Sequence, residues 1–216
     1  MIMRNATNMK IGGGYTEPYA SLSLEDESVH YNIFKAKLTL DNNKTIIIPQ
    51  KDNNTDSALT SSDVSAYKEN LVDIVIGDRI KTLGFCMCSG YTRLESVTIG
   101  NNVTFISDNA FRGCTKLMTV DIPDSVKQIQ TSFANCSGLT DVTIGSGITR
   151  IGLSAFQDCT KLKNVTILAT TPPTLGDNVF HSNASGRKIY VPQESVEAYK
   201  AATNWKTYAS AIFPIE

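Results

Sequence analysis

Five cysteines carry most of the latent chemistry in this 216-residue chain: Cys86, Cys88, Cys114, Cys136 and Cys159. A thiol in a short polar setting such as AFRGCTKL can be a nucleophile, a metal ligand, half of a disulfide or packing. A nucleophile needs a depressed pKa, a basic partner and access. The two histidines, His30 and His181, both lie outside the stretch that carries Cys114, Cys136 and Cys159. Structural zinc needs four converging donors. Cys86-x-Cys88 supplies two at a poor spacing, and no matching pair follows, so no metal and no cofactor is expected. An odd number of cysteines leaves at least one unpaired in a monomer, and five are too few for a disulfide framework in a chain this long. The other candidates are carboxylates. Asp121 and Asp141 fall where they can be diagonal neighbours on a sheet, and paired carboxylates can do acid–base work on sugars.

What these residues do depends on what positions them, and the chain is repetitive. Leu71, Leu94, Leu117, Leu139 and Leu162 are spaced 23, 23, 22 and 23 residues apart. Each opens the same pattern: LESVTIGNNVTFISDNAFRGCTK, then LMTVDIPDSVKQIQTSFANCSG, then LTDVTIGSGITRIGLSAFQDCTK. The first unit, LVDIVIGDRIKTLGFCMCSGYTR, is degenerate; it has Met87-Cys88 in place of Ala-Phe and Tyr91 in place of Cys. The fifth begins LKNVTI and then diverges. Apolar pairs two apart, such as Val97/Ile99 and Val142/Ile144, predict a short strand with one buried face. A turn residue follows, Gly77, Gly100, Pro123 or Gly145, and then a second apolar pair three apart, such as Val103/Ile106. A unit of this length cannot bury its own apolar face, but stacked units cover one another. Five coils at about 4.8 Å each give a rod of roughly 24 Å before caps. Recurrence of one cysteine slot in three coils argues for packing: Phe111, Phe133 and Phe156 should stack, and so should Cys114, Cys136 and Cys159. Neighbouring rungs are about 5 Å apart, within reach of a disulfide, although three thiols cannot all pair. The residue missing from the third unit, between Ile129 and Phe133, is expected to fall in a surface turn.

L-x-x-V-x-I, then V-x-x-I, then A-F-x-x-C-x-x-L resembles the BspA-like class of leucine-rich repeat. The resemblance covers 71–167, and TPPTLGDNVF with KIYVPQESVEAYKAATNWKTYASAI looks like that family's C-terminal cap. It implies a mainly β, leucine-rich repeat parallel β solenoid with short helices and a cap at each end. It also implies a protein-binding role without enzyme activity, and a bacterial surface or secreted location linked to adhesion.

The expected layout is a poorly defined segment 1–32, an N-terminal cap 33–70, the solenoid 71–167 and a C-terminal cap 168–216. Asp41-Asn42-Asn43 between FKAKLTL and KTIIIPQ signals a hairpin. SSDVSAYKENL signals a short helix with Val64, Tyr67 and Leu71 on one stripe, KDNNTDS is a loop, and Gly12-Gly13-Gly14 suggests flexibility. Trp205, Tyr208 and Ile212 should fold over the last coil. The formal net charge of −1 gives no broad pull toward nucleic acid or anionic lipid. No apolar run approaches the ~20 residues that span a bilayer. MIMRNATNMKIGGGY is not a signal peptide, so either the protein stays inside the cell or a leader has been removed.

The outward positions of the first strand are the expected working face: Asp73/Val75, Ser96/Thr98, Thr119/Asp121, Asp141/Thr143 and Asn164/Thr166. They are small, polar and mildly acidic, with no aromatic or arginine anchor among them. Lys81, Lys127 and Arg150, with Phe105, form a weak basic strip on the second strand. The function expected is a non-enzymatic module that binds a protein or glycan partner through this sheet. A structural spacer or appendage piece, for example of a phage fibre, is the alternative, and a glycan hydrolase or lyase is a remote third.

Overall fold

Alternation of apolar and polar residues every second position sets the strands, and the recurring turn residues stack them. The computed structural model describes residues 34–50 and 57–216, all within one compact unit, Asn32–Glu216. The segment 1–32, its glycine run, and the KDNNTDS loop through Asp56 lie outside the described residues.

At the N-terminal end, β1 (Phe34–Leu40) and β2 (Thr45–Pro49) pair antiparallel around Asn43, whose φ of 63° closes the hairpin. A two-residue β3 (Ala58–Leu59) precedes α1 (Ser61–Val64), where the Asp63 carboxylate accepts the Thr60 N–H at 2.8 Å as a helix cap. A 3-10 turn, Ser65–Tyr67, completes this short helical stretch.

Each coil then has one longer and one short strand. The longer ones are β4 (Leu71–Ile76), β6 (Ser96–Thr98), β8 (Thr119–Ile122), β10 (Asp141–Ile144), β12 (Asn164–Ile167) and β14 (Lys188–Val191). The short ones are β5 (Thr82–Leu83), β7 (Phe105–Ile106), β9 (Gln128–Ile129), β11 (Arg150–Ile151) and β13 (Thr174–Leu175). The short strands form one parallel sheet that starts at β3 and runs unbroken to β13. The longer strands form the opposite wall, in two sheets: β2-β1-β4-β6, and β8 through β14 to a final β15 (Ile212–Pro214). The division falls between β6 and β8, where Val97 is only half-buried although its counterparts Val120, Val142 and Val165 are buried. Pro123 stands nearby in the glycine slot. Its counterpart Gly145 donates its N–H to Ile122 O at 2.8 Å, a bond that proline cannot make.

Each coil turns its corners with left-handed residues. Asn109 (φ 58°) and Ser154 (φ 54°) precede the alanine column, and Gly113 (φ 72°), Asn135 (φ 62°) and Asp158 (φ 59°) precede the cysteine column. Glycine, asparagine and aspartate tolerate this region best. The 22-residue third coil lacks the first of these two left-handed residues. The shortening falls in a surface turn, as expected, since Asp108 and Leu153 at the corresponding turn of the neighbouring coils are exposed. Ser132 takes the place of Ala110 and Ala155, is fully buried, and donates its hydroxyl to Ser107 O at 2.9 Å.

The coil pattern continues beyond Ile167. Asn164–Thr166 pair in register with Lys188–Tyr190, and Phe180 stacks on Phe156. The leucine period ends at Leu162 because Gly186, in the left-handed region at φ 75°, takes the next leucine position and one residue is added before Thr174. After Pro192, a 3-10 turn, α2 (Val196–Ala201) and the 3-10 segment Trp205–Ala211 close the C-terminal end. Tyr199 Oη donates to Ala169 O and Trp205 Nε1 to Pro173 O, both at 2.8 Å, so both buried aromatics satisfy their polar atoms.

Candidate functional site: inner columns and outer sheet face

The inner columns come first, because they hold the thiols. Phe111, Phe133, Phe156 and Phe180 stack nearly parallel, with centroids 5.2, 5.4 and 5.9 Å apart. Each ring's backbone carbonyl faces the next column. Cys114 Sγ donates to Cys88 O at 3.2 Å, Cys136 Sγ to Phe111 O at 3.1 Å and Cys159 Sγ to Phe133 O at 3.1 Å. Asn183 continues the row by donating Nδ2 to Phe156 O at 2.8 Å, and Arg187 ends it, donating to Phe180 O at 2.9 Å while lying over the Phe180 ring. The thiol column is thus a repeated donor that satisfies one carbonyl per coil.

All five cysteines are free thiols; Cys88, Cys114, Cys136 and Cys159 are buried and Cys86 is half-buried. Burial raises the Cys88 pKa above the ordinary thiol value. Hydrogen bonding to Cys136, then burial, raises Cys114 and Cys159. Hydrogen bonds with Cys114 and then Cys159 lower Cys136 instead, so burial rather than protonation withholds this thiol from reagents and metal ions. A thiol reagent in native buffer is therefore expected to label Cys86 alone quickly, and the other four only as the chain unfolds. Rapid uptake of more than one equivalent per chain would contradict this. Cys136→Ser keeps the acceptor at Phe111 O but buries a more polar group, at a cost of about 1–2 kcal/mol in chemical denaturation.

The outer face of the longer strands is the second arrangement. Register places Thr119, Asp141, Asn164 and Lys188 in one row and Asp121, Thr143, Thr166 and Tyr190 in the next; on β6, Ser96 and Thr98 point out beyond the division. Asp121 and Asp141 are diagonal neighbours in this register. They do not converge on a cleft: Asp141 accepts Asn164 Nδ2 at 2.7 Å, and Asp121 is exposed. A shallow depression of ≈ 430 Å³ lies at the strand ends, beside Pro123, Asp124, Thr143 and Leu168, and includes neither carboxylate of the pair. Hydrogen bonds from the Ser146 N–H and hydroxyl lower the Asp124 pKa.

Two sequence expectations change here. The basic strip divides over two rows. Lys81 and Lys127 share a row with Thr104 and Thr149, whereas Arg150 and Phe105 sit one residue further along. The outer face also does have aromatics. Tyr190 follows Thr166 in register and Phe213 follows Tyr190, their rings 6.4 Å apart. The signal was present in KIYV, which alternates as NVTI does, but the lost leucine at Gly186 hid the alignment.

Stacked parallel coils with a leucine column and a buried Phe–Cys turn are now in view, and the comparison with known families agrees. The model of the BspA type leucine-rich repeat region matches residues 60–187 in six copies. The chain belongs to this family. Its resemblance to solved structures extends the point to the fold. A leucine-rich repeat protein of T. pallidum aligns at a TM-score of 0.52 with 22% identity, over 77% of this chain and 91% of that one. A leucine-rich repeat protein from Bacteroides ovatus (TM-score 0.42, 20% identity) is matched over 56% of this chain and 42% of that one. The pneumococcal vaccine antigen PcpA (0.47, 16%) is matched over 66% and 39%. This BspA-type chain thus spans less than half the length of the latter two. No curated protein matches it. No helix among the described residues is long and apolar enough to cross a membrane.

Proposed function

We propose that this BspA-type chain is a non-enzymatic binding module, exported to a bacterial surface or secreted, that engages a protein or glycan ligand through the outer face of its longer strands. Within it, residues 33–70 act as the N-terminal cap, and 168–216 hold the last coil and C-terminal cap. The observation that carries the reading is the separation of the two arrangements. The reactive side chains of the repeat are consumed in closing the coils, while the outer face repeats short polar side chains in strict register. The contact residues of this reading are Ser96, Thr98, Thr119, Asp121, Asp141, Thr143, Asn164 and Thr166.

Family membership supports a binding role and a bacterial surface setting, and the adhesion part of the reading rests on the outer face. The test is retention of the full chain on immobilised extracellular-matrix proteins and neutral polysaccharides. Asp121→Lys and Thr143→Arg replace outward side chains, so the fold should survive, and retention should fall at least tenfold with the melting temperature unchanged. Retention equal to that of the wild type in both variants removes this face from the function.

A further inference from the structure

We infer that the C-terminal end of the outer face is a carbohydrate subsite, in which Tyr190 and Phe213 take the apolar face of a neutral hexose ring and the adjoining rows bind the rest of a neutral oligosaccharide. This rests on the reading that the outer face is the binding surface, and adds the class of ligand and its anchor.

The placement comes from register. Tyr190 and Phe213 extend the row Asp121, Thr143, Thr166, so the aromatics are the end of a polar track rather than an isolated patch. Their rings are inclined by 46° with centroids 6.4 Å apart, so the pair presents two adjoining, angled aromatic groups at the end of the track. Phe213 is 39% exposed, on a three-residue edge strand whose Ile212 is buried. Lys188 Nζ lies 5.6 Å from the Phe213 centroid. At an exposed site that contact is weak, so a ligand can displace it at small cost.

The chemistry of the track selects the ligand. Aromatic faces carry partial negative charge and attract the C–H edges of a sugar's apolar face. Carboxylate, amide and hydroxyl groups match a ligand that is both donor and acceptor. Asp121 makes no hydrogen bond or ion pair among the described residues, and Asp141 and Asn164 form a fixed donor–acceptor pair. Two carboxylates against the single ammonium of Lys188 repel an anionic partner, whereas hydroxyl donors complement them. A protein interface of ordinary strength is built around an apolar core. Here the stretch between the sheet division and Tyr190 is occupied by Thr119, Asp121, Asp141, Thr143, Asn164 and Thr166.

The test uses the full chain with four probes: laminarihexaose, cellohexaose, maltohexaose and a tetralysine peptide, each titrated by calorimetry. The double variant Y190T/F213T replaces the rings by the residue that Thr166 already supplies on the preceding strand, and T143R alters the track without touching the rings. The expected result is binding of at least one hexaose, weakened at least tenfold by Y190T/F213T and by T143R, with thermal unfolding unchanged. Hexaose binding that survives Y190T/F213T but not T143R overturns the subsite and keeps the outer face. Binding of tetralysine, or of an immobilised protein in a T143R-sensitive manner with no hexaose bound, overturns the carbohydrate class alone. No binding of any hexaose overturns the inference, and matrix retention indifferent to T143R overturns the face as well.

Discussion

Phe133→Ala is expected to lower folding stability by about 3–5 kcal/mol, read as a shift in the urea midpoint with little change in slope. Phe133 sits between Phe111 at 5.2 Å and Phe156 at 5.4 Å and has no exposed surface, so its loss leaves a cavity bounded by rings on both sides. The column cannot collapse into that space, because the backbone at each ring is tied to the neighbouring coil by hydrogen bonds, among them Phe133 N–H to Ala155 O at 2.9 Å. The third coil is already the shortest and has the shortened turn at Ser132. A cost below about 1 kcal/mol would mean that the column is not a packed element.

Trp205→Ala should cost as much for a different reason. Trp205 is fully buried, packs edge-on against Tyr199 at 4.9 Å and donates Nε1 to Pro173 O at 2.8 Å. Truncation removes the largest buried side chain and leaves a carbonyl without its donor, for about 3–5 kcal/mol. In a linear stack each coil contacts only its neighbours, so the damage should begin at the end. Amide exchange in β14 should quicken before exchange in β8. Trp205→Phe, which keeps a ring but drops the indole N–H, should cost about 1–2 kcal/mol. If Trp205→Ala unfolds all strands at once with no local quickening, the C-terminal segment is not acting as a cap.

The sequence made the repeats legible because the same residue types recur at the same positions. Val120/Ile122, Val142/Ile144 and Val165/Ile167 need no long-range information to be read as one face of a strand. The last coil was not legible from the leucine period: Gly186 replaces the leucine, and the added residue shifts everything after Ile167. Register recovers it, since Lys188–Tyr190 hydrogen-bond alongside Asn164–Thr166 whatever the intervening length. The third coil's shortened turn was legible at the correct point in the chain and at the surface, whereas Ser132, in the buried alanine slot, finds carbonyl acceptors on a neighbouring coil. Sequence spacing does not show that contact. The candidate face was legible as alternating polar positions. Its aromatic end was not, because Phe213 arrives from a strand that follows the cap helix, 23 residues after Tyr190.

The central claim is that the reactive side chains are sealed in the columns and the outer face does the binding. One retention assay tests both halves, with wild type, Cys136→Ser and Thr143→Arg run on the same immobilised ligands at a temperature where all three are folded. The account predicts that Cys136→Ser is retained like the wild type and that Thr143→Arg is lost from the column. Loss of retention in Cys136→Ser with Thr143→Arg unaffected would contradict it.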